Sequence, residues 1–230
     1  SRGLGDVYKR QSPHRRMDAG AIGSLAAGYP LQLTAPDDLR LLRTVEYLLD
    51  HCFLDGAFFQ DMIHSGLNPY LSLHCAQVLL RAGDGRWLPI VEKIAALASS
   101  TGQWPEAVHP QTGAGCMGDG QHVWASAEWV LMTCNMFIRE EGNNLIVGEG
   151  IPEHWIKGGG RMSIGPVHTS FGSVTVDILP EKGGVGVNVI PCWRKQPERV
   201  YLHIPAAGEA LELDPGSRMA VEVPIRQDQT

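Results

Sequence analysis

No stretch of this chain approaches the roughly 18 consecutive apolar residues of a membrane-spanning helix, and its Lys and Arg residues form no basic stripe. The first absence points away from a membrane partner. The second points away from a nucleic-acid surface, and the net charge of −6 over 230 residues agrees with it. The five cysteines (Cys52, Cys75, Cys116, Cys134 and Cys192) include no CxxC pair, and an odd number cannot close into a complete disulfide framework. Reduced thiols in a reducing compartment are the plain reading. That favours the cytoplasm and leaves a periplasmic location open. There is no internal repeat, no low-complexity segment and no G-x-S-x-G nucleophile elbow. No cofactor is expected.

What is present is a globular composition, 43% hydrophobic and 19% charged, long enough for one large domain or two smaller ones. Two compositions meet near residue 143. Before it, apolar residues recur at helical spacing. The spacing predicts helices over 36–52, 68–84, 86–102 and 120–142, with a shorter one inside 20–33. In 36–52, Leu39, Leu42, Val45, Leu48 and Leu49 are expected to share the inward face. After residue 143, short runs of Val, Ile and Thr lie between Gly and Pro, and they predict an antiparallel β module with a hairpin turn at 181–184. The connections at 53–67 and 103–120 are long and rich in Gly, Trp, His and carboxylates, and long irregular connections are usually functional.

The most informative stretch is QWPEAVHPQTG, residues 103–113. Pro105 before Glu106 could open a helix, but the ring of Pro110 would clash with the carbonyl of residue 106. Glu106 is therefore expected in a loop, flanked by Trp104 and His109, as a candidate catalytic carboxylate. The next stretch, GAGCMGDGQHVW (113–124), carries Cys116, Asp119 and His122. With His109 these types suit zinc, but the spacing matches no standard zinc pattern. The plainer reading is a glycine-bent loop that approaches a bound molecule closely. Trp124 is expected at a helix mouth, where an aromatic face can stack on a sugar ring. Glu128, one turn later, reads as a buried hydrogen-bonding partner. Residues 55–73 place Asp61, His64, Ser65, Asn68 and Tyr70 before a helix, as a polar rim for a ligand.

Taken in order, SGLNPYLSLHCAQVLLRAGD, GQWPEAVHPQTG and HVWASAEWV resemble the end of the catalytic domain of six-hairpin glycosidases, most closely the glucoamylase-like and glycogen-debranching-like enzymes. The resemblance covers about residues 20 to 142. GCMGDGQH departs from the glucoamylase pattern, which implies a distinct subfamily. The fold implied is multidomain α and β: a partial (α/α)6 toroid of helical hairpins over 12–143, followed by a small antiparallel β domain over 144–230.

The resemblance implies a glycoside hydrolase acting on an α-glucoside or related oligosaccharide, inverting, with Glu106 as general base. Trp104, Trp124, His64, Asn68, His109, Asp119 and His122 are the implied substrate-binding residues, and no metal is implied. Residues 1–11 resemble a translated sequencing remnant and are excluded from fold reasoning. The expectation is therefore that the N-terminal half of the catalytic domain is missing. The proton donor would be missing with it, and the fragment would be inactive. The alternative from a different class is a non-catalytic carbohydrate-binding or structural helical domain.

Overall fold

The computed structural model describes residues 18–61 and 65–225; the proposed remnant at 1–11 and the candidate ligand residue His64 lie outside them. The chain divides into two compact units at Val130–Leu131.

The first unit starts with α1 (Asp18–Ser24) and α2 (Leu39–Cys52). Asp38 caps α2 by accepting from the Arg40 backbone N–H at 2.9 Å. The cap fixes the helix phase. Leu39 becomes the first helical residue and is exposed, while Leu41, Val45, Leu48 and Cys52 turn inward. The inward face is therefore offset from the expected one, which included Leu39.

Next come α3 (Pro69–Arg81) and α4 (Trp87–Ala96). Every residue of α3 from Ser72 to Arg81 is buried. A helix enclosed on all sides must satisfy its polar side chains internally. His74 Nε2 lies 2.5 Å from the Tyr29 carbonyl. Arg81 donates to the Gly28 and Thr34 carbonyls at 2.9 and 2.8 Å. Gln77 donates to Glu128 at 2.9 Å.

The two long connections are not irregular. They fold together into a sheet of five short strands: β1 (Phe53–Leu54), β2 (Ala57–Gln60), β3 (Gly66–Leu67), β4 (Ala107–Val108) and β5 (Gly115–Met117). The strands lie in that order and all pair antiparallel. Leu67 sits opposite both Phe59 and Val108, and so joins the two connections. The unit ends in the first turns of α5 (Val123–Phe137).

The second unit holds the rest of α5, the short α6 (Glu153–Lys157) and two four-stranded sheets. One sheet runs β12 (Leu211–Leu213), β11 (Arg199–Leu202), β7 (Asn144–Val147), β6 (Ile138–Glu141). Its β7–β11 pair is parallel, so the module is mixed where pure antiparallel pairing was expected. The other runs β13 (Met219–Pro224), β10 (Gly184–Trp193), β9 (Gly172–Glu181), β8 (Met162–Thr169), all antiparallel. Alternation along β9 buries Val174, Val176 and Ile178. Gly172 has φ +136, and a Cβ there would lie 2.2 Å from the Cys192 carbonyl oxygen, so only glycine fits.

The expected partial (α/α)6 toroid is overturned. Among the described residues there are six α-helices and thirteen strands, arranged as a mixed α/β fold with three sheets. The helices were legible, but the two long connections between them are sheet, not irregular loops.

Candidate functional site

Glu106 occupies the bend just before β4. Its backbone N–H donates to the Met117 carbonyl at 3.1 Å, which ties the Pro-Glu segment to β5. The glycines of that loop serve this contact. A Cβ at Gly115 would lie 3.0 Å from the Pro105 Cβ, and one at Gly118 would lie 3.4 Å from the Glu106 nitrogen. Their close approach is thus to Pro105 and Glu106, where the sequence suggested a bound molecule.

The half-buried Glu106 side chain lines a hollow of about 330 Å³. Gln60 from β2, Asn68 and Tyr70 at the start of α3, Met117 from β5, and His122 and Trp124 at the start of α5 line it too. Ile22 from α1, Phe58 from β2 and Leu71 from α3 complete its apolar side. Trp124 is 65% exposed, an unusual state for so large a ring, and its centroid lies 5.5 Å from that of Tyr70. The His122 ring centroid lies 6.1 Å from that of Trp124. Its Nδ1 is enclosed and finds no hydrogen-bond partner among the described residues.

The structure therefore gathers Glu106, Asn68, His122 and Trp124 at one hollow. It separates the others from it. Trp104 is 3% exposed, its indole N–H donates to the Ile94 carbonyl at 2.8 Å, and its ring packs 5.3 Å from that of Trp129. That is a core residue, not a wall against solvent. His109 Nδ1 accepts from the backbone N–H groups of Gln111 and Thr112 and so closes its own turn. Asp119 is exposed and accepts from the Gln121 N–H at 2.9 Å, a local turn of the kind short acidic side chains make. The zinc reading of His109, Cys116, Asp119 and His122 also fails on geometry, because no group of three such residues converges among the described residues.

Asn68 reaches the hollow with most of its amide already committed. Its Oδ1 accepts from the Leu71 N–H at 2.9 Å, capping α3, and its Nδ2 donates to Gln60 Oε1 at 2.5 Å. The residues that sequence reasoning left out are Gln60, Phe58, Leu71, Met117 and Ile22. Their signal was weak, since each looks like ordinary core in sequence.

Behind the hollow wall lies Glu128, 7% exposed and one helical turn beyond Trp124. Burial pushes its carboxyl above the ordinary glutamate range, opposed by the Gln77 hydrogen bond and by charge on His74. Burial likewise raises the Tyr70 phenol, and negative charge on Glu128 adds to that rise.

No protein-family model matches the chain, and no curated protein matches it. Among solved structures it is similar to a wild-type glycosidase, with a TM-score of 0.43 and 23% identity. It is also similar to two substituted forms of a glycosidase, with TM-scores of 0.42 and 0.43 and identities of 22% and 23%. Each match covers 49% of this chain and 34% of the other. The chain thus spans about a third of the length of those structures, and a likeness at this level leaves function to the site's own chemistry.

Proposed function

We propose that this chain belongs to a glycoside hydrolase acting on an α-glucoside or related oligosaccharide, with Glu106 as the general base of an inverting reaction. The observation that carries the reading is the half-buried Glu106 carboxylate on a sugar-sized hollow beside the exposed ring of Trp124 and the half-buried ring of Tyr70. Aromatic faces stack on the C–H face of a pyranose. An ionised carboxylate at the same place can take a proton from water as that water attacks the anomeric carbon. His122 and the remaining N–H of the Asn68 amide are placed to bond sugar hydroxyls.

Inversion needs a second, protonated carboxyl about 6.5–9.5 Å from the base, on the other side of the sugar. Among the described residues that line the hollow, Glu106 is the only carboxylate. The proton donor in this reading is therefore another group. The same observation favours a second reading, a carbohydrate-binding site without turnover.

The test is a panel of aryl α-glycosides and malto-oligosaccharides, with hydrolysis and binding measured on the chain and on Glu106→Gln. General-base loss should lower turnover about 10²–10⁴-fold, with sugar binding retained and with azide, which needs no deprotonation, restoring release of the aryl group. Binding without hydrolysis even of a dinitrophenyl α-glycoside, whose leaving group needs no proton donor, would favour the second reading. Hydrolysis that survives Glu106→Gln would overturn the assignment of the base.

A further inference from the structure

We propose that Glu128 is a positioning residue of this site: acting through Tyr70, its proton sets how firmly the hollow holds a ligand. The inference rests on reading the hollow as a sugar site and asks what controls the polar groups on its wall.

Two helices connect Glu128 to the hollow. On α3, Tyr70, His74 and Gln77 follow one another at i, i+4 and i+7 and so share a face. On α5, Trp124 and Glu128 are four residues apart and do the same. The two faces meet at two levels. The Tyr70 and Trp124 rings lie 5.5 Å apart at the hollow, and Gln77 donates to Glu128 at 2.9 Å behind it. His74 occupies the turn between, with its ring 6.1 Å from that of Tyr70. Gln77 and Glu128 are both buried, so the carboxyl cannot turn to water without leaving its partner. His74 Nε2 donates to the Tyr29 carbonyl at 2.5 Å, which commits that nitrogen elsewhere.

When Glu128 loses its proton, a negative charge appears behind the wall, in surroundings where charge acts more strongly than in water. Tyr70 is the hollow residue that feels it, because negative charge on Glu128 makes the phenol hold its proton more tightly. A phenol that holds its proton more tightly is a weaker hydrogen-bond donor. Tyr70 therefore donates best to a sugar oxygen while Glu128 is neutral, and burial favours that neutral form. A ligand that covers the hollow takes further water from Glu128 and favours it again, so linkage runs the same way. Both effects make ligand affinity fall as pH rises through the titration of Glu128. The titratable groups facing Glu128 are Tyr70 and His74 of α3. Glu106 and His122 line the hollow itself, and the test must separate Glu128 from all four.

The experiment is calorimetric titration with maltotriose, over pH 5 to 8, of the parent chain, Glu128→Gln, Tyr70→Phe and the double variant. Affinity of the parent should fall with rising pH by up to about tenfold, the worth of one hydrogen bond. Glu128→Gln, which still accepts from Gln77 and cannot ionise, should lose most of that fall. In the Tyr70→Phe background the same substitution should leave the pH profile unchanged within about twofold. A purely structural role would shift affinity equally at every pH. Identical profiles for the parent and Glu128→Gln, or an effect of Glu128→Gln that persists undiminished without the Tyr70 hydroxyl, overturns the proposal and leaves the hydrolase reading to stand on Glu106-dependent turnover. A second readout needs no sugar. The alkaline titration of Tyr70, isolated by ultraviolet absorbance as parent minus Tyr70→Phe, should move to lower pH in Glu128→Gln, and an unmoved titration overturns the coupling by itself. Failure of maltotriose to bind at any pH overturns both the sugar reading and the proposal.

Discussion

Glu128 offers the sharpest test of the balance behind the hollow wall. It is 7% exposed, and its acceptor oxygen holds the Nε2 of Gln77, which is itself 2% exposed. Glu128→Ala removes that acceptor. Loss of a buried hydrogen bond to a carboxyl costs about 1–3 kcal/mol, and the lost methylene packing adds about 1 kcal/mol. The expected destabilisation is therefore about 2–4 kcal/mol. Glu128→Gln behaves differently, because its carbonyl oxygen still accepts from Gln77 and it cannot ionise.

The sign follows from the direction of the shift. Burial raises the folded-state value of Glu128 above the ordinary glutamate range. The folded chain therefore holds this proton more tightly than the unfolded chain. Below the unfolded value both states are protonated, and the difference between the parent and Glu128→Gln should be constant. As pH rises from about 4.3 through the raised folded value, the parent loses stability and Glu128→Gln does not.

Urea unfolding followed by tryptophan emission over pH 4 to 8 reads this directly (Trp87, Trp104, Trp124 and Trp129 all lie in the first unit). His74 and Tyr70 face the same carboxyl, and the Tyr70 phenol, raised above its ordinary value, stays neutral over this pH range. A stability gap independent of pH, or one in which the parent gains on Glu128→Gln as pH rises, would refute the claim that burial outweighs the hydrogen bond and His74.

Other outcomes follow from the same structure. Asn68→Ala should cost about 1–2 kcal/mol from loss of the cap of α3, measured by denaturant unfolding, and it should weaken sugar binding by displacing Tyr70. In the second unit, Arg139 is 9% exposed and donates to Glu149 at 2.8 and 2.5 Å and to Glu141 at 2.8 Å. Arg139→Met should destabilise by about 2–4 kcal/mol, somewhat under the fully buried range because both carboxylates keep some water. Burial lifts the Glu149 carboxyl, but the nearby His203, whose Nδ1 lies 3.6 Å away, and the charge and hydrogen bonds of Arg139 outweigh it and hold the group below its ordinary value. That stabilisation is present above the ordinary glutamate range and fades as pH falls through the folded value, so the gap between parent and Arg139→Met should shrink in acid.

The helices of the first unit were readable because each carries its own signals. Asn68-Pro69 opens α3, Gly83 follows its end, and apolar spacing supplies the rest, while α4 stops at Ala96, well short of the Gly102 expected to end it. The end of α5 was not readable. Residues 138–141 were expected to continue the helix, and IREE favours one, but the turn at Gly142 folds them back onto β7. Pairing with Asn144–Val147 overrides the local preference. Strand β8 was missed because it contains Gly165-Pro166. A proline is tolerated there because β8 is an edge strand, and the pair sits at the irregularity between Ile164 and Val167. The sheet β1–β5 had no signature at all, since strands of two to four residues are too short for alternation to register.

That invisible sheet is what makes the site. Glu106 and Trp124 stood out in the sequence because their residue types and their setting are unusual. Their meeting place did not, because it depends on Leu67 bridging Phe59 and Val108, and on Glu106 bonding to Met117. Those pairings bring together segments from α1, β2, the start of α3, the Pro-Glu bend, β5 and the start of α5. Trp104 and Trp124 show the consequence. Trp104 directly precedes the Pro-Glu segment, Trp124 follows the glycine-rich loop after it, and both were implied substrate-binding residues. The ladder turns one inward onto Ile94 and Trp129 and leaves the other exposed beside Tyr70. Which aromatic lines the hollow is thus decided by strand register, a long-range property, and not by residue type.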